Sequence, residues 1–98
     1  MKNNKLKKEV FELELEVQGK MEKAQKRLVQ SFNITSVSEY RFICNHYNKA
    51  VASKKEAAAA IDAKEFKKAH ELLESISLEL LAFYMNLDEI LDNKREVL

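Results

Sequence analysis

Proline is absent from this 98-residue chain, and glycine occurs once, at Gly19. Those two residues punctuate most turns, so a chain almost without them has few places to reverse direction. A sandwich or barrel of short strands needs a turn signal every few residues and finds none here. Rossmann-type and P-loop nucleotide sites need several glycines where backbone meets phosphate, and one glycine excludes both. A few long helices are the architecture this chemistry leaves open.

Charged residues make up 34% of the chain and apolar ones 46%, so one modest core is within reach and disorder is not expected. The lone Cys44 permits no intrachain disulfide, which suits a reducing cytosol. The start is basic (Met1, Lys2, Asn3, Asn4, Lys5), but no apolar run of signal-peptide type follows it. The longest apolar run covers residues 80–85, far short of a membrane span. The expectation is a cytoplasmic chain that makes no membrane contact and forms one helical-bundle domain over residues 1–98.

Apolar spacing predicts three helices, at about residues 5–31, 37–61 and 63–92. The first carries a stripe of Leu6, Val10, Leu13, Val17, Met21, Ala24, Leu28 and Phe32. Two eleven-residue repeats run through it, a 3.67-residue period that keeps a stripe nearly straight along a helix. Residues 11–17 alternate strictly between apolar and acidic, which is a strand pattern. Leu and Glu favour helix, however, and no partner strand is available to satisfy the backbone. Gly19 is a candidate kink. Lys5 with Glu9, Glu16 with Lys20, and Glu22 with Lys26 are spaced for ion pairs.

Ser36 followed by Glu39 is a capping box that starts the second helix. Its heptad rows are Val37, Cys44, Val51, Ala58 and Tyr40, Tyr47, Lys54, Ile61, with Ala50 and Ala57 flanking the seam. Small residues there let a neighbouring helix approach closely. Asp62 with Glu65 reads as a second capping box, with Ile61 and Phe66 as its hydrophobic staple. The third helix has the cleanest rows, Phe66, Leu73, Leu80, Leu87 and Ala69, Ile76, Phe83, Ile90. Together the elements predict an all-α fold, an antiparallel three-helix up-down-up bundle. The alternative is a helical hairpin with one very long second helix, dimerising.

The third helix carries a second stripe, Leu78, Leu81, Ala82 and Met85, on roughly the opposite face. A helix apolar on two faces packs on both sides, and an exposed apolar patch marks an association site. Phe42 lies outside the seam of the second helix and is a further candidate contact, unless it packs on the turn after the first helix. The expected function is a non-enzymatic protein-interaction module: an adaptor, a chaperone, or an inhibitor or immunity-type regulator. It would bind a helical partner, or a second copy as a homodimer, through Leu78, Leu81, Ala82, Met85 and Phe42.

Other chemistries find less support. Residues 1–31 carry eight basic side chains against five acidic, residues 32–61 four against two, and residues 62–98 five against nine. Nucleic-acid binders show a stronger basic bias, and these unequal halves are suited to attract one another. An alternative function is nevertheless a nucleic-acid-binding regulator using Lys2, Lys5, Lys7 and Lys8. A third alternative starts from Ala69-His70-Glu71-Leu72, which is similar to the Ala-His-x-Leu-Lys-Gly core of histidine phosphotransfer domains. That resemblance implies a helical bundle accepting phosphate at His70. Leu73 and Glu74 stand where the family has its lysine and glycine. Residues 62–73 resemble the inter-helix turn of a tetratricopeptide unit, without a second copy along the chain. No metal or cofactor is expected: Cys44 and His46 point apart on a helix, and neither histidine has a Glu three residues before it. No serine or carboxylate pair suggests catalysis.

Overall fold

A computed structural model describes the backbone of residues 2–97 and the side chains of residues 4–93. It contains three helices, α1 (Lys2–Ser31), α2 (Val37–Asp62) and α3 (Phe66–Val97), with no strand among the described residues. α3 packs against both α1 and α2, and α1 and α2 touch sparingly. The bundle expected from sequence is the observed fold, and the long-helix hairpin is not.

α1 runs unbroken through Gly19 and through the alternating segment. Helical spacing turns Leu13 and Val17 inward and leaves Phe11 and Leu15 outside, at 41% and 72% exposed. Val10, Val17, Met21, Ala24 and Leu28 are buried as the stripe requires. Phe32 is not. It falls in the turn after the helix, exposed, with its ring edge-on to Tyr40 at 5.2 Å. Of the three ion pairs spaced along α1, Glu16 with Lys20 forms, at 3.2 Å.

The turn from α1 to α2 is held by hydroxyls. The buried Ser31 donates through Oγ to the Leu28 carbonyl at 2.8 Å, and Thr35 donates to the Ser31 carbonyl at 2.8 Å. The capping box then starts α2. The Glu39 amide donates to Ser36 Oγ at 3.2 Å, and the Ser36 amide donates to Glu39 Oε1 at 2.8 Å.

The seam of α2 differs from the heptad rows read from sequence. Ile43, Ala50, Ala57 and Ala60 are the buried residues, while Val37 and Ala58 are exposed. Tyr40, Cys44, Tyr47, Val51 and Ile61 are half-buried at its margin. The physical reason is size. Three alanines lining the seam let α2 lie close to its neighbour, so the larger side chains are displaced sideways.

The break between α2 and α3 is also made differently. Asp62 is the last residue of α2 and forms no capping box with Glu65. Instead the Glu65 amide donates to the Ala60 carbonyl at 2.8 Å and the Lys64 amide to the Ile61 carbonyl at 3.0 Å. That pair of bonds is a Schellman motif, which ends a helix through one residue in left-handed conformation. Lys64 is that residue, with φ 61°. α3 therefore begins at Phe66, three residues later than the spacing suggests.

Candidate functional site: the outward face of α3

α3 supplies the largest share of the core. Ala69, Leu73, Ile76, Leu80, Phe83 and Leu87 are all at most 2% exposed, as the two heptad rows require. Phe66 and Ile90, at the ends of those rows, are half-buried against them. At 100° per residue, Leu78 lies nearly opposite Leu80 and Phe83. Leu78, Leu81 and Met85 are accordingly 69%, 56% and 64% exposed, and Ala82 between them is half-buried. The molecule is a slender rod, 58 × 18 × 16 Å in Cα extents. Each helix can bury only the face turned to its two neighbours, and no fourth helix covers this one.

The flank of α3 nearest α2 is polar and tied down. The Asn86 amide donates to the Ala82 carbonyl at 2.8 Å, and a carbonyl can only accept. That contact fixes which end of the amide is nitrogen. The same nitrogen faces His46 Nε2 at 3.3 Å, so Nε2 must accept. The ring proton is then on Nδ1, which donates to Glu79 Oε1 at 2.8 Å. His46 thus cross-links α2 and α3 through both of its ring nitrogens.

Phe42 lies on the same flank, 51% exposed, with its ring edge-on to His46 at 5.4 Å. It borders a shallow cleft with Asn86, Glu89 and Ile90. The cleft sets Phe42 beside α3. Leu78 and Met85 belong to one face and Phe42 to its edge.

On the opposite flank, toward α1, Arg27 meets Asp88 at 3.4 Å, joining the basic helix to the acidic one. Tyr84 is half-buried there, and burial pushes its hydroxyl pKa up against the opposing pull of Arg27. His70 is half-buried, with Nδ1 at 3.0 Å from Glu74 Oε1. Glu74 occupies the position of the phosphotransfer glycine. A carboxylate there repels an incoming phosphoryl group, where the family leaves open space.

Cys44 is half-buried against the core beside Tyr40, whose hydroxyl pKa is raised chiefly by burial. Lys5, Lys7 and Lys8 are exposed, and Lys2 lies outside the described side chains. Lys5 and Lys8, three apart, share one side of α1, with Lys7 turned about 100° from Lys8, and Glu9 and Glu12 follow within the next turn. Among the described residues no group of three or more His, Cys, Asp or Glu is arranged to hold a metal ion, and no helix is long and apolar enough to cross a membrane.

Two further apolar surfaces escaped the sequence reading. Phe11 and Leu15 form a pair on the outside of α1. Val29, Phe32, Ile34 and Val37 gather around the α1–α2 turn, each more than half exposed. The signal was available: a connection is normally polar, and this one carries Phe32 and Ile34. No protein-family model, no curated protein and no solved structure matches this chain.

Proposed function

We propose that this protein is a non-enzymatic interaction module that receives a helix of a partner protein on the outward face of α3. The observation that carries this reading is the double-faced α3: one apolar face closes the core, and Leu78, Leu81 and Met85 stand exposed on the other. Exposed apolar residues scattered singly are ordinary, but three large ones within two helical turns form a contiguous stripe. Residues spaced i, i+3 and i+7 are the register a docked helix reads. Met adapts its shape readily at such surfaces.

The test is a labelled, uncharged amphipathic helical peptide titrated against the protein and followed by fluorescence anisotropy. Wild type is expected to bind, and Leu81→Glu to lose binding with its helical circular dichroism unchanged. Binding that survives Leu81→Glu would place the site elsewhere. Self-association through the same stripe is the second reading, and light scattering across a concentration range distinguishes it. Nucleic-acid binding and phosphotransfer at His70 have weaker support, because the net charge is only +1 with acids following the lysines from Glu9, and Glu74 faces the His70 ring.

A further inference from the structure

We infer that the helix received by α3 is basic at both ends and apolar in the middle. This rests on the reading of the stripe as a docking face and adds what docks there. From Glu71 to Asp92 the chain carries six acidic side chains and no Lys or Arg. Their placement is orderly. Glu71, Leu78, Met85 and Asp92 are seven apart and share one row, and Glu74, Leu81 and Asp88 share the next. The stripe is therefore bounded by acids at both ends, over a length of about 30 Å.

Three of the six acids are committed within the bundle: Glu74 to His70, Glu79 to His46 and Asp88 to Arg27. Glu71, Glu89 and Asp92 are exposed and have no ion-pair partner among the described residues. An exposed apolar centre between carboxylates that pair with no described residue is complementary to leucine-like residues between lysines or arginines. The acids at both ends satisfy a basic partner helix in either direction.

The same charges work against other occupants. A second α3, parallel or antiparallel, would set acids against acids at each end. The outward pair on α1 of another copy, Phe11 and Leu15, has Lys8 one turn before it but Glu22 two turns after, so only one end would match. An anionic membrane or nucleic acid meets repulsion.

Three synthetic helical peptides of about 21 residues, sharing one leucine stripe, test the inference. They carry Lys, Gln or Glu at both ends and are titrated against the full chain by calorimetry. The Lys peptide is expected to bind about tenfold tighter than the Gln peptide, as a few rim ion pairs would give, and the Glu peptide weakest. Added salt should erase the Lys advantage. Combining Glu71→Lys, Glu89→Lys and Asp92→Lys should reverse the order.

Equal binding of all three peptides, with Leu81→Glu abolishing it, would overturn the basic partner and leave the docking face standing. No binding by any peptide, or binding indifferent to both Leu81→Glu and Leu81→Gln, would overturn both. A dimer in solution that Leu81→Glu converts to monomer would make a second copy the occupant and overturn the inference.

Discussion

Two residues sit in backbone positions that suit another residue better. Gly19 lies in the interior of α1, and nothing lies within 4 Å of where a Cβ would be. Gly19→Ala should therefore stabilise the fold by about 0.5–1 kcal/mol, by restricting the unfolded chain and favouring helix. Lys64 holds φ 61° at the end of α2, where a Cβ is strained and glycine is not. Lys64→Gly should add about 1 kcal/mol, and a β-branched residue there should cost at least as much. Urea denaturation read by circular dichroism measures both. The position of the α2–α3 break was indicated by sequence, but its mechanism was hidden. Helix ends of this type usually announce themselves with Gly or Asn, and here the left-handed residue is a lysine. The Ser36–Glu39 box was legible because all of its chemistry lies within four consecutive residues.

At the scale of the element, α3 was readable and α2 was not. Both heptad rows of α3 consist of apolar residues, so any reasonable register buries the right face. In α2 only one large apolar side chain, Ile43, enters the seam, while Tyr40, Tyr47, Val51 and Ile61 mark its margin and Val37 and Phe42 stand exposed. The seam itself is mostly alanine, and alanine is equally common on solvated helix faces. Only close packing against a neighbour distinguishes the two, and that is a property of the pair. Ala50, at 0% exposed, should not tolerate enlargement. Ala50→Leu is expected to cost about 1–3 kcal/mol by pushing the helices apart, measurable by thermal or urea denaturation. Ala58→Leu, on the exposed face of the same helix, should have little effect.

At the scale of the whole molecule, shape explains why an apolar face is left over. The radius of gyration is 15.9 Å, against about 13 Å for a compact chain of this length. Three long helices make a rod whose core is one layer deep, so α3 cannot bury two opposite faces within it. The second stripe was visible in sequence because its residues repeat at helical spacing. The exposed apolar residues at the α1–α2 turn, and Phe11 with Leu15, were harder to see. Phe11 and Leu15 blend into an alternating run, and which of its members face out depends on the helical register. Among the described residues three apolar surfaces are thus presented, and the proposed partner docks on the one framed by acids that pair with no described residue. The most direct test is amide NMR mapping of the wild-type chain during titration with the Lys-ended peptide. Shift changes are expected to concentrate at residues 71–92 on the outward side of α3. Changes centred instead on residues 29–37, or on Phe11 and Leu15, would contradict that placement.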